Sequence, residues 1–405
     1  MEQKRLTLYI ALCYVVIEFV RPQSMYESLS HFPIAKICIL VFSFFFLIEQ
    51  RDYFVRNSIN LALLAFATWV AISATFAIDT KIAWNACIDF LKWIFIYFLV
   101  INTINTRRGL YLFVITLLLC YFKMGQFAVR RWIAQGFYSD PRGTYVGAGF
   151  LHNPDDFGAG VNTVFGIAWY MIHADKNTKW KGWFKAKWFH IINTISLIIG
   201  ILITSSRGAA LALGANLLAI WKNSSRKLAA LIIVVLLAYI FWLLIPEANK
   251  ARFYKMGTEA DTTAQTRLTL WSCALKMVSA NPITGIGIGN FPLACKVYEC
   301  PRVLAQHNIF IQALSELGYP GLFILIIIFF LAFYNNHKVR KTLREAETKD
   351  DFLYNLSLGL DVGLIGFAVV GCFITVLFYP FFWVHLMICV TLRDVTEKEY
   401  RQSKK

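Results

Sequence analysis

The sequence predicts an all-α polytopic membrane protein, with about twelve transmembrane helices and a long periplasmic loop containing amphipathic helices. Three observations predict it. Hydrophobic residues make up 58% of the 405 and charged residues 16%, against roughly 45–50% and about 25% in soluble domains. The apolar residues gather in runs close to the ~20 that cross a bilayer. Lipid offers no partner to backbone N–H and C=O, so the helix is the economical spanning element. These observations exclude a soluble enzyme, a secreted disulfide scaffold and a disordered tail protein.

The first run, Leu6–Val20, ends at Arg21-Pro22 with no small-residue cleavage site, which predicts a retained span rather than a signal peptide. Phe32–Ile48, Ile59–Ala77, Ile82–Ile101 and Leu110–Ala128 follow as spans two to five. Gly158–Ile172, Phe189–Thr204, Gly208–Trp221 and Leu228–Ile245 are spans six to nine. After a long loop, the helix His307–Leu317 leads back to the tenth span, Tyr319–Tyr334. Leu356–Phe378 and Phe381–Leu392, separated by Tyr379-Pro380, complete the set as a tight hairpin or a re-entrant pair. Residues 1–405 read as a single membrane domain, with 246–306 as the large loop between the ninth and tenth spans.

The formal charge is +16, from 40 Lys+Arg against 24 Asp+Glu. In a membrane protein such an excess belongs in cytoplasmic loops, and no nucleic-acid partner is expected. Twelve spans put both termini on one side. The basic residues favour the termini and the even-numbered loops, including Lys176–Lys187, so the termini are expected to be cytoplasmic. Trp180, Trp183, Trp188 and Trp221 flank that side as an aromatic belt. The outer face then receives 129–157, the short turn Ser205-Ser206-Arg207 and 246–305. Loops longer than about 15 residues are usually functional or disordered, so function is sought there.

Arg207 opens the eighth span at Ser205-Ser206-Arg207-Gly208. A helix N-terminus is electropositive. An Arg there calls for an anion, and free N–H groups beside a guanidinium suit a phosphate. Snorkelling at the membrane boundary is an equal reading. Between Thr266 and Asn281 the apolar residues Leu268, Trp271, Leu275 and Val278 share one helical face, predicting an amphipathic helix on the membrane surface. Arg267 falls in its first turn, where lipid headgroups and an anionic substrate are equal candidates. Gly285, Gly287 and Gly289 have no Rossmann context and are read as tight turns near a ligand.

His307 heads His307-Asn308, nine residues, then Gly318-x-x-Gly321. On a regular helix Ile311, Leu314, Gly318 and Gly321 lie within about 40° of His307, and Glu316 about 180° away. Such a stripe, ending in glycine, lets a neighbouring helix approach and fix the His. Asn153-Pro154-Asp155-Asp156 reads as a helix cap rather than a metal site. Of nine cysteines, Cys273, Cys295 and Cys300 share the long loop. With no Cys-x-x-Cys pair there is no support for a zinc or redox site. In an oxidising compartment a Cys295–Cys300 disulfide is expected.

At these residues the chain resembles the O-antigen ligase family, which also holds O-antigen polymerases and bacterial protein O-oligosaccharyltransferases. His307-Asn308, nine residues, Gly318-x-x-Gly321 reproduces the family signature. The start of the helix at Arg207, Arg267-x3-Trp271 with the following Gly-rich stretch, and Arg142 with Asn153-Pro154 are also similar. Arg21-Pro-Gln-Ser-Met-Tyr26 resembles a subgroup found beside exosortase systems. Asp155 departs from the pattern, since relatives often place Asn there. The resemblance implies an inverting glycosyl transfer needing no metal and no cofactor. The implied donor is a glycan on undecaprenyl pyrophosphate. The implied acceptor is a hydroxyl of lipid A–core, of a protein, or of another glycan. Membrane lipid surrounds the enzyme, which sits in the bacterial inner membrane with a periplasmic active site. Arg207 and Arg267 become pyrophosphate clamps and His307 the base or acceptor-positioning group. Arg142, Asn153, Asn308, Trp271, Gly318 and Gly321 become substrate-binding positions.

The competing class is a transporter such as a lipid-glycan flippase, which twelve spans fit as well. Against it, the ionisable residues gather at one face rather than the midplane, and no pair of matching broken helices marks an inverted repeat. Lys36, Lys92 and Lys123 lie inside spans but near their ends or within snorkelling reach.

Overall fold

The computed structural model of the chain describes residues 5–24, 26–49, 54–136, 149–180, 184–225, 227–244, 250, 254 and 262–401. Its helices are α1 (Arg5–Val20), α2 (Glu27–Ser30), α3 (Ile34–Ile48), α4 (Ser58–Thr75), α5 (Thr80–Thr103), α6 (Arg107–Ala134), α7 (Pro154–Ala174), α8 (Ala186–Ile203), α9 (Arg207–Asn223), α10 (Lys227–Leu244), α11 (Thr262–Ala280), α12 (Phe291–Val297), α13 (Ile309–Glu345), α14 (Asp351–Gly371) and α15 (Pro380–Thr396). Among the described residues, extended pairing is confined to a two-residue ribbon, Lys179–Trp180 against Phe184–Lys185.

Among the described residues, seven helical segments are long and apolar enough to cross a membrane: Leu6–Ser24, which holds most of α1, and α4, α5, α6, α8, α13 and α14. α3 is apolar but shorter, at 15 residues. The other predicted spans are helical too, and α7 buries Asn162 and Thr163 within its length. Large apolar side chains stand exposed around the bundle, Leu40 at 69% and Leu61 at 73% among them. A water-soluble surface would not carry so many.

α7, α9 and α14 form the tightest part of the bundle, because small residues let their backbones meet. A Cβ on Gly166 would stand 2.4 Å from the Gly359 carbonyl oxygen, and one on Gly363 would stand 2.2 Å from that of Thr163. The Asn162 amide donates to the carbonyls of Gly158 (2.9 Å) and Ala209 (3.0 Å), while Asn216 donates back to the Asn162 carbonyl (3.0 Å). This close packing fixes the starts of α7 and α9 against the end of α14.

α13 is not one regular helix. Gly318 has φ 67° and ψ −174°, which breaks it into 309–317 and 319–345. The break frees carbonyls that must find partners in a buried setting. Ile286 N–H donates to Ser315 O (2.9 Å) and Gly287 N–H to Glu316 O (3.0 Å). Ser73 Oγ donates to Glu316 O (2.9 Å) and Trp69 Nε1 to Leu317 O (2.8 Å). Tyr319 N–H returns to Pro282 O (2.9 Å). The Gly-rich stretch therefore docks onto the broken helix rather than waiting for a ligand. A Cβ on Gly285 would lie 2.4 Å from the Glu316 carbonyl carbon, and one on Gly318 would lie 2.1 Å from Ile283 O.

α11 begins at Thr262, so Arg267 lies in its second turn and not its first. The predicted apolar face also splits. Leu268 (61%) and Leu275 (52%) are exposed, while Leu270, Ala274 and Met277 join Ile286, Phe291, Ala294 and Cys295 in a small separate core. That core corrects the disulfide. Cys273 is bonded to Cys300, with their Cα atoms 6.1 Å apart, and Cys295 is a free, buried thiol. Cys295 faces inward from α12, whereas Cys300 lies beyond the end of α12 and meets α11. Peptide mapping without reduction is expected to recover a Cys273–Cys300 cross-link that survives Cys295→Ser. A Cys295–Cys300 cross-link would refute the pairing.

Candidate active site

Five chain segments meet at one end of the bundle. They are the start of α7, the α8–α9 turn, the first turns of α11, the residues before α13, and the turn from α14 to α15. A pocket of about 230 Å³ lies among the first three, lined by Asp155, Thr204, Ser205, Ser206, Arg207, Gly208, Thr263 and Arg267.

The α8–α9 turn shapes the floor. Ser205 takes φ 53°, and Ser206 caps α9 by accepting from Ala209 N–H (3.3 Å). Arg207 is the first residue of α9, so its guanidinium adds to the positive end of the helix. Gly208 is crowded by Phe373, which a Cβ there would approach to 2.7 Å. The same Phe373 ring carries the Arg267 guanidinium carbon 5.8 Å above its centre. Two arginines remote in sequence thus share one pocket.

His307 lies just outside α13. Asn308 is the N-cap, its Oδ1 accepting from Phe310 N–H (2.9 Å) and Ile311 N–H (3.1 Å). His307 itself takes φ 51°, a strained value for a non-glycine residue. The helical-wheel stripe expected from His307 to Gly321 is therefore absent, because its head is off the helix and Gly318 breaks the rest. Two bonds hold the residue instead: His307 N–H donates to Thr375 Oγ1 (2.8 Å), and Trp271 Nε1 donates to the Gln306 carbonyl (2.9 Å).

Burial lowers the His307 pKa below its ordinary value, Arg267 lowers it further, and Asp155 opposes both. The imidazole thus takes up its proton at a lower pH than an ordinary histidine does. If the neutral form acts, kcat/KM falls as pH drops through that lowered value. Removing the opposing charge with Asp155→Asn is expected to move this acid limb to lower pH. A limb that stays put or moves up in a pH–rate profile would contradict it.

Of the positions expected to bind substrate, Arg142 lies outside the described residues. Asn153 caps α7, accepting from Asp155 N–H (2.9 Å). The Trp271 indole N–H is engaged by Gln306. Gly318 and Gly321 are buried, Gly318 against the Gly-rich stretch and Gly321 against Leu317, so both serve close packing rather than ligand contact.

Sequence reading missed Phe373, Thr375 and Tyr379. They sit in 372–379, a non-helical turn that an unbroken apolar run disguises as span. Asp155 and Asp156, read only as a cap, also reach the site. Burial and its neighbour Asp155 push the Asp156 carboxyl up to about 7, although Tyr379 donates a hydrogen bond to it.

Residues 192–326 match the family described as O-antigen ligase. Over that third of its length the chain is similar to O-antigen ligases. The matched segment spans Arg207, Arg267, Trp271, His307, Asn308, Gly318 and Gly321, while Arg142 and Asn153 precede it. No curated protein matches the chain. The likeness to O-antigen ligases implies a membrane glycosyltransferase of ligase or polymerase type.

Proposed function

We propose that the protein transfers a glycan from undecaprenyl pyrophosphate to an acceptor hydroxyl at the periplasmic face of the bacterial inner membrane, with inversion. In this reading the chain crosses the membrane twelve times, both termini are cytoplasmic, and 246–306 is the large periplasmic loop. The observation that carries the reading is the shared pocket of Arg207 and Arg267, with His307 under the electrostatic influence of Arg267.

The chemistry follows from those parts. The acceptor oxygen attacks the anomeric carbon as that carbon's bond to the pyrophosphate oxygen breaks. Negative charge develops on the pyrophosphate, where preorganised cations stabilise it most. Two guanidiniums supply forked donors to phosphate oxygens. A neutral imidazole takes the acceptor proton. The acceptor is a hydroxyl of lipid A–core, of a protein side chain, or of another glycan.

Reconstitution in liposomes tests this. Glycan-loaded undecaprenyl pyrophosphate is supplied with core-lipid and peptide acceptors, and free undecaprenyl pyrophosphate is measured. Release that depends on acceptor and on His307, and that persists in EDTA, supports the reading. Among the described residues no group of three His, Cys, Asp or Glu is placed to hold a metal, so loss of activity in EDTA restored by Mg²⁺ would overturn the metal-free part. Donor exchange between leaflets without release would make the protein a flippase.

A further inference from the structure

Glu316 is a buried carboxylate (3% exposed) that the proposed chemistry does not use. It lies near the end of the first half of α13. Its Oε1 accepts from Gln306 Nε2 (3.1 Å), its Oε2 from Gln312 Nε2 (3.4 Å), and it also accepts from Gly289 N–H. All three contacts are donated to the carboxyl group. Burying such a group is costly without pairing, and this site supplies the pairing with neutral dipoles alone.

Those partners sit on different elements. Gly289 belongs to the Gly-rich stretch, Gln312 to α13, and Gln306 to the strained residues before it. Gln306 also receives Trp271 of α11 on its carbonyl, and Trp271 is one turn from Arg267. The next residue is His307, held otherwise by one bond to Thr375. A helical wheel places Glu316 opposite His307, but the chain leaves the helix at Asn308 and folds back, which brings Gln306 onto the carboxylate.

We infer that Glu316 is a positioning residue, which through Gln306 sets the place of His307 relative to Arg267. This rests on the reading of His307 as the group that handles the acceptor proton. Glu316→Gln keeps the size but only one acceptor oxygen, so it cannot satisfy both amides. Gln306→Met breaks the same link from the other end and spares the carboxylate's remaining donors.

The experiment combines turnover with a measurement that needs none. In reconstituted full-length protein, either variant is expected to lower kcat by roughly 10- to 100-fold, the scale of a displacement near 1 Å. Donor KM should stay within about twofold, since Arg207 and Arg267 are untouched, and the double variant should lose no more than the worse single one. Separately, the rate at which diethyl pyrocarbonate acylates His307, read by mass spectrometry, should rise several-fold in both variants. Wild-type kcat, a parallel rise in donor KM, multiplicative losses, or an unchanged acylation rate would each overturn the inference. If the wild-type protein itself transfers no glycan, the proposed function fails, and the acylation rates still decide whether Glu316 positions His307. If Glu316→Gln does not fold, Gln306→Met carries the same expectations.

Discussion

Alanine in place of His307 is expected to reduce glycan transfer by about 10²–10⁴-fold, the usual contribution of a general acid–base group, while the protein still inserts and still binds donor. The arginines should behave differently. Arg207→Ala removes a cation from the place where pyrophosphate charge develops, and loss of one such donor costs about 10²–10³-fold in kcat. Arg267→Ala should do the same and also relieve His307 of a charge that lowers its pKa. Lysine at either position is expected to recover only part of the loss, because a point charge cannot present the guanidinium fork. Steady-state transfer in liposomes, with membrane insertion checked independently, distinguishes these outcomes. Wild-type turnover in any one alanine variant would remove that residue from the mechanism.

These three residues are legible in the sequence because each is a charge or a proton acceptor where composition offers few. In a chain with 16% charged residues, an Arg at a helix start or a His beside a span stands out. Their convergence is less legible, since it depends on how α7, α9 and α14 pack through Gly166, Gly359 and Gly363. The helices themselves follow from apolar runs, and each predicted span falls mostly within one.

Two of the failures share a physical cause, which is that local periodicity assumes a regular helix. The stripe from His307 to Gly321 presumes one, and φ values of 51° at His307 and 67° at Gly318 remove it. The run through Phe378 presumes another, yet α14 stops at Gly371 and the apolar turn after it lines the site. The expected disulfide rests on nearness in sequence, while Cys273 and Cys300 are 27 residues apart. Docking of α12 on α11 brings those two together and buries Cys295.

Gly318→Ala should be the most damaging substitution outside the charged site. Its φ of 67° with ψ of −174° lies in a region that is essentially glycine-only, at a cost of about 1–3 kcal/mol for other residues. The added Cβ would also stand 2.1 Å from Ile283 O, a backbone atom, and forced overpacking costs about 1–3 kcal/mol more. Because Gly318 and Gly285 hold the Gly-rich stretch against the broken helix, relieving the clash means separating them. That separation would move Gly289, Glu316 and the residues leading to His307. Gly214→Ala is the control, since nothing lies within 4 Å of a Cβ there, and alanine in a helix interior is favoured over glycine by up to about 1 kcal/mol. Melting in detergent, followed by tryptophan fluorescence, should show a lower Tm for Gly318→Ala and none of that loss for Gly214→Ala. Transfer activity should follow the same order. Equal melting of the two variants would mean that the break at Gly318 is not what holds the loop, and the roles given to Gly285 and Gly318 would fall with it.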